Sequence, residues 1–361
     1  MSAGIRIASP ARLHLGMFDL TGASGRRFGG IGVAIKEPRV IVAVRPAAEL
    51  SVCGPESSRA RVVAEQLRAA GLPVNATIQI EAVIPSHAGL GSGTQLSLAT
   101  GAVLAQLAGC PMAAEALAVL GGRGGRSGIG TRTFSAGGFI LEGGRRPDAA
   151  TLAPLIGRYD FPQGWLWIVA IPQVEPGLHG MAEVQAFDRL GPEGTPMARS
   201  AVGRIAELVL MQLIPALLER DFPAFGAALS EIQILNGAAY APTQRGCYAH
   251  PIGARLAERW QDAGGTGIGQ SSWGPTVYTL APDRTAAERL AAIARQMLVE
   301  AAIPGSVLIT AADNQGAQRE PIPGTAITRG ASDPSVLASN VETRREPGLT
   351  LRHYQPSSEG G

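Results

Sequence analysis

"IPSHAGLGSGTQLSLATG" (84–101) decides how the rest of the chain is read. Proline closes an alternating apolar run, "NATIQIEAVIP" (75–85), in which Ile78, Ile80, Ala82 and Ile84 share one face of a strand. Gly89, Gly91 and Gly93 then crowd together with Ser92 and Thr94 among them, and Leu96, Ala99, Val103 and Leu107 recur at helical spacing. A strand, a glycine-rich turn and a helix N-terminus make an anion site, because the first helical N–H groups lack partners and the aligned peptide dipoles leave positive charge there. Ser92 and Thr94 have two available roles, capping the helix or donating hydroxyls to a phosphate. The loop lacks the lysine of a Walker A sequence and has no acidic partner of the kind that marks a dinucleotide fingerprint.

Working outward, glycine clusters recur at 28–32, 121–130, 137–139 and 264–269, so several loops are expected to meet around something small and polar. "RVIVAVRP" (39–46) and "GWLWIVAIP" (164–172) read as strands, "RVVAEQLRAAG" (61–71) and "AAEALAVLGG" as helices, and "TFSAGGFILEGG" as strand. The second half carries long helical segments, the first of which Pro215 should kink or divide, then a helix stopped by Gly264, a strand in "GPTVYTL", a helix, and a last strand in "SVLITAA". A domain boundary is placed near residue 160, giving domains 1–160 and 161–316. The polar stretch 317–361 is expected to be loosely ordered.

With 45% hydrophobic and 17% charged residues, 361 residues suit about two globular domains. A net charge of +2 gives no field for nucleic acid or an acidic membrane. The sequence offers no evident membrane span or secretory signal, so a cytoplasmic protein is expected. Cys53, Cys110 and Cys247 match no zinc or redox spacing and are read as buried thiols.

"PSHAGLGSG" (85–93) resembles the phosphate-loop signature of the galactokinase, homoserine kinase, mevalonate kinase and phosphomevalonate kinase superfamily. "SPARLHLGMFDL" (9–20) and "GTGIGQSSWGPTVYTL" (265–280) stand where those kinases carry their first and third motifs. The resemblance implies an α+β, GHMP-kinase-like fold: a ribosomal-protein-like N-terminal domain and a ferredoxin-like C-terminal domain. The chain departs from the kinases at Gly93, where a second serine is usual, and at Gln270, Trp273 and Pro275. There, "ARLHLGMFDL", "GGIGVAI" (29–35), "GRSGIGTRTFSAGGFILEGG" (125–144) and "GQSSWGPTVY" (269–278) are similar to the β-ribofuranosylaminobenzene 5′-phosphate synthases.

That branch implies a phosphoribosyltransferase of tetrahydromethanopterin biosynthesis. It joins phosphoribosyl pyrophosphate to 4-aminobenzoate, or to 4-hydroxybenzoate, with loss of CO2 and pyrophosphate. Mg2+ is the implied metal, no organic cofactor is implied, and a homodimer is implied by analogy. The rivals are an ATP-dependent kinase of the same superfamily and a non-catalytic anion-binding protein on the same scaffold. A polyanionic donor calls for cations near the glycine loops. Arg12 and Arg126, inside the motifs, are the favoured pair; Arg123 and Arg132 lie close by, and Arg26 and Arg27 fit a loop closing over the donor. His14 shares a strand face with Arg12 and is either an acid–base group or a structural histidine. Asp19 is a candidate for catalysis or for Mg2+, or caps a turn; Glu142 is the second metal candidate, and His87 lies in the loop itself. Gly89, Gly91, Ser92, Gly93 and Thr94 are assigned to the donor. Ser271 and Ser272 are read as anion donors, and Trp273 either as a flat face for the aromatic acid or as core.

Overall fold

The computed structural model describes residues 4–125, 127–146, 151–178, 180–190, 197–244 and 246–323. Its first sheet is built on two long antiparallel strands, β1 (Gly4–Asp19) and β2 (Phe28–Pro46). Beyond β2 lie β4 (Ala76–Ala82) and the short β3 (Ser51–Cys53), which pairs with β4 in parallel. The other half of β2 pairs with β5 (Phe139–Glu142), and β5 with β6 (Leu155–Tyr159). Helices α1 (Ser57–Ala69), α2 (Ser92–Leu107), α3 (Ala114–Leu120) and α4 (Ile129–Ala136) belong to this half. α2 is buried nearly all round, so it lacks the one-sided pattern of a surface helix.

The second sheet runs β10 (Gly305–Ala311), β7 (Leu166–Pro172), β9 (Val277–Ala281), β8 (Thr266–Gln270), all antiparallel. In sequence order this is fourth, first, third, second, with α10 (Arg284–Glu300) between the third and fourth strands: the ferredoxin-like arrangement. Between β7 and β8 lie α5 (Gly180–Arg189), α6 (Arg199–Leu208), α7 (Ile214–Glu219), α8 (Phe222–Gln244) and α9 (Pro251–Asp262). A main core of Ile, Val, Leu and Phe side chains draws on both sheets, and a second core joins Ile168 and Ala170 to Leu256, Trp260 and Leu290 under α9 and α10. The fold class expected from the resemblance therefore holds.

Five expectations are corrected. Thr133, Phe134 and Ser135 belong to α4, not to a strand, because Ile129, Thr133 and Phe134 form a buried helical face. Residues 318–322 are β11 (Gln318–Ile322), paired with β1 from Gly4↔Ile322 to Ala8↔Gln318, where an unstructured tail was expected; 324–361 lie outside the described residues. Cys53, Cys110 and Cys247 are exposed free thiols. The helical run Arg199–Glu219 does have the length and apolarity of a membrane span. In this fold Ile205, Leu208, Val209, Leu213 and Leu217 enter the core, while Leu210, Met211 and Leu218 face outward. Pro215 does not break the run: a π-helical turn, Val209–Leu213, leads into α7, with the proline in its first turn, where a missing N–H matters least.

Candidate functional site

β1 carries the floor of the site. Its register against β2 slips between His14 and Gly16, a bulge at which Gly16 takes φ +142°. The backbone groups around the bulge are taken up by α8: Gln233 Nε2 donates to Leu15 O (2.6 Å), and Met17 N donates to Asn236 Oδ1 (3.0 Å). β1 thereby presents Arg12, His14 and Met17 to one cavity of about 550 Å³.

The glycine loop forms the next wall. Gly89 and Gly91 both have left-handed backbones, at φ +82° and +84°, and Gly91 is the N-cap of α2. A Cβ on Gly89 would lie 2.3 Å from Ser271 O, so glycine is required there twice over. Arg12 holds the loop through its backbone N–H to Leu90 O (3.2 Å) and its guanidinium to Gly89 O. The Arg12 side chain lies along Gly91, while the Arg123 guanidinium lies 3.4 Å from where a Gly93 Cβ would stand. Arg123 thus borders the place that a side chain at 93 would take, at ordinary contact distance. Ser92, Gly93, Thr94 and His87 also line the cavity.

The third motif, between β8 and β9, closes the other side. The Ser271 hydroxyl accepts from His14 N (3.0 Å) and donates to Gly89 O (2.7 Å). Ser271 is fully buried, so it ties three motifs together and is not placed to hold an anion. Ser272, with a left-handed φ of +55°, reaches the cavity wall instead. Trp273 also lines the cavity but is 2% exposed and packs on Tyr240 (ring centroids 4.5 Å apart) and Phe187 (5.2 Å). With Met17, Leu20 and Phe28 these rings form an apolar cluster of their own.

Three cations, Arg12, Arg59 and Arg123, line the cavity, against one acidic side chain among the described residues, Glu183. Burial lowers the Arg12 pKa to about 10, which leaves it cationic at neutral pH. Burial, helped by Arg12, pushes His14 down to about 3, so the imidazole is neutral. Two of the residues that line the cavity each enclose a side-chain nitrogen without a hydrogen-bond partner, His14 Nε2 and Trp273 Nε1.

The remaining candidates lie elsewhere. Asp19 closes its own turn: Oδ1 accepts from Thr21 N, Thr21 Oγ1 and Gly22 N, and Oδ2 from Ser24 Oγ. Desolvation would raise its pKa, but these bonds outweigh it and the net shift is downward. Glu142 is fully buried and accepts from Ser127 Oγ (2.7 Å) and Gly128 N (2.8 Å), fixing the start of α4. Burial raises it to about 7 against those bonds. Among the described residues no three acidic, histidine or cysteine side chains gather as a metal site. Arg132 pairs with Glu115; Arg26 binds Gly144 O, and Arg27 binds Leu20 O and Phe187 O. Arg126 lies outside the described residues. Arg59 and Glu183 were missed by sequence reasoning, since each sits in ordinary amphipathic helix with no motif around it.

Comparison with known proteins agrees with this architecture. GHMP kinases N terminal domain matches residues 58–138, and GHMP kinases C terminal matches 213–300. Homoserine kinase from Cytophaga hutchinsonii superposes with a TM-score of 0.62 at 17% identity, covering 89% of this chain and 98% of that one. Mevalonate diphosphate decarboxylase from Staphylococcus aureus does so with a TM-score of 0.58 at 14% identity, with coverage of 89% and 98%. Such identities speak to fold alone. Beta-ribofuranosylphenol 5′-phosphate synthase of Methanothermobacter thermautotrophicus is 34% identical over 333 residues, 86% of this chain and 97% of that protein. The Archaeoglobus fulgidus protein of the same name is 32% identical over 88% of this chain and 99% of its own. The chain belongs to the family of these synthases, built on the GHMP kinase fold.

Proposed function

We propose that this protein is a decarboxylating phosphoribosyltransferase that joins phosphoribosyl pyrophosphate to a para-substituted benzoate, at the head of tetrahydromethanopterin-type cofactor synthesis. The observation that carries this reading is one cavity with two unlike halves. Arg12, Arg59, Arg123 and the α2 N-terminus make a half suited to a polyanion, and Met17, Leu178 and Trp273 make a half suited to an aromatic ring. The names of the curated relatives specify a phenol product, which puts 4-hydroxybenzoate beside 4-aminobenzoate as acceptor.

In the proposed reaction the bond from ribose C1 to the diphosphate oxygen breaks, and its electron pair leaves with the diphosphate. The ring carbon bearing the carboxylate gives a π pair to C1. The bond to the carboxylate then breaks, its electrons restore the aromatic ring, and CO2 departs. No proton changes hands between substrates and products, which suits a site whose histidine is held neutral. The chain's contribution is position and fixed charge: Arg12 and Arg123 flank the loop on which the diphosphate would rest and oppose the charge that develops as it leaves. Magnesium would neutralise diphosphate charge, and Glu183 is the carboxylate on the wall that fits it, since such ions take one or two carboxylates with the remaining ligands from phosphate and water. Against the kinase reading stands Gly93, where those kinases usually carry serine, with the Arg123 guanidinium in contact with the place its Cβ would take.

Incubation with phosphoribosyl pyrophosphate, Mg2+ and a carboxyl-labelled acid tests the proposal. Labelled CO2 and pyrophosphate are expected in equal amounts. Pyrophosphate with the label retained on the aromatic product would refute carbon–carbon joining, and ADP formed from ATP and an alcohol would restore the kinase.

A further inference from the structure

Ser127 lines the cavity just before α4, and its partner is Glu142, fully buried at the end of β5. The Ser127 hydroxyl donates to Glu142 Oε1 (2.7 Å) and accepts from Ile129 N (3.2 Å), while Glu142 Oε2 accepts from Gly128 N (2.8 Å). A Cβ on Gly128 would lie 2.8 Å from Oε2, so glycine there lets the carboxyl close on the backbone. The serine is half-buried, whereas the carboxyl has no access to solvent.

A hydroxyl has one hydrogen to give and two lone pairs to accept with. An ionised Glu142 can only accept, so it takes the Ser127 hydrogen and leaves the serine a lone pair to turn toward the cavity. An anion finds no bond there. A protonated Glu142 donates from Oε1 instead. The serine oxygen then accepts from both Glu142 and Ile129 N, and its hydrogen is left for a ligand. Burial raises the Glu142 carboxyl to about 7, so both arrangements fall near neutral pH. The charges on the surrounding elements are otherwise engaged. Arg132 of α4 favours ionisation but is paired with Glu115 of α3. Arg26 and Arg145 bind the carbonyls of Gly144 and Gly125, and Arg158 of β6 pairs with Asp160. Gly30 of β2 is the sheet partner of Glu142, and His14, beyond it on β1, is neutral.

We infer that Ser127 is an anion-binding hydroxyl of the cavity and that Glu142 is its positioning residue, releasing the serine hydrogen to the ligand when protonated and withdrawing it when ionised. The inference rests on the anionic half of the cavity proposed above and adds a proton-dependent contact to it.

The test is calorimetric binding of inorganic pyrophosphate to the full chain, comparing proteins at one pH so that the ligand's own titration cancels. At about pH 5.5, below the Glu142 transition, the unaltered protein should bind about tenfold more tightly than Ser127→Ala, the size of one bond to a charged group. At about pH 8.5, above that transition, the two should bind alike. Glu142→Gln donates to the serine at every pH, so it should keep its tenfold advantage over the Glu142→Gln, Ser127→Ala double variant at both values. A Glu142 that acted only by repelling the anion would leave the ratio of unaltered protein to Ser127→Ala the same at both pH values, and that result would overturn the inference. So would Ser127→Ala binding as well as the unaltered protein at the lower pH. Should Glu142→Gln fail to fold, the unaltered protein and Ser127→Ala still decide the matter. Release of CO2 from a labelled aromatic acid, followed separately, keeps the two readings apart. Its absence beside the expected binding pattern would support the inference while removing the reaction. Its presence with a ratio that ignores pH would overturn the inference alone.

Discussion

Glu142 and His14 are both buried ionisable groups near the cavity, and burial moves them in opposite directions. Glu142 is raised from 4.5 to about 7, so between those values the folded chain keeps a proton that the unfolded chain has released. Its contribution to stability is complete below about pH 4.5 and is lost as pH rises through 7. Glu142→Gln keeps an oxygen for Gly128 N–H and adds a donor for Ser127, so it should stabilise the protein at pH 8 by roughly 1–3 kcal/mol, measured by urea unfolding. His14 is lowered from 6.5 to about 3, so there it is the unfolded chain that gains the proton. Its contribution is present above about pH 6.5 and is lost as pH falls toward 3, and His14→Gln should flatten the acid limb of the stability profile. The cations give a separate expectation. Arg12→Ala and Arg123→Ala should each weaken donor binding by about 1.5–3 kcal/mol, the range for bonds to charged groups, and so should Ser92→Ala. Unchanged calorimetric affinity would remove that residue from the donor site.

The glycine loop was legible as an element because its demands are local: glycines crowded between a strand and a helix mark a backbone that must turn sharply or meet a ligand closely. Its coupling to Ser271 was not legible, since the contact that fixes Gly89 comes from 182 residues away. Gly89→Ala would drive a methyl against Ser271 O at a left-handed φ and should cost about 3 kcal/mol or more, read as a drop in Tm. Gly93→Ser is the contrasting variant. It meets only the end of the Arg123 side chain, which can swing aside, so Tm should hold while donor affinity falls. An equal loss of Tm in both variants would contradict that contrast. Long periodic segments such as α8 and α10 were readable from their spacing, whereas β11, "QREPI", is exposed along nearly its whole length and shows no alternation to read. The paired arginines Arg26 and Arg27 drew attention by their place beside glycines, yet they brace neighbouring backbone; Arg59 reaches the cavity from a helix whose sequence gives no hint of it.

At the scale of the whole molecule, the first sheet is assembled from both ends of the described chain. β1 has β2 on one side and β11 on the other, and everything between Pro46 and Gln318, including the entire second sheet, lies between those two partners in sequence. A chain ending at residue 316 should therefore be less stable than one ending at 323, with a lower midpoint in thermal unfolding. Equal midpoints would mean that β11 contributes nothing to β1. The same arrangement bears on synthesis. β1 leaves the ribosome well before its outer neighbour, so while the chain between them is made the strand carrying Arg12 and His14 has an open edge of unpaired N–H and C=O groups. Nascent chains stalled before residue 318 should bind chaperones or one another at that edge, and the site's floor should become fully set only once β11 has emerged.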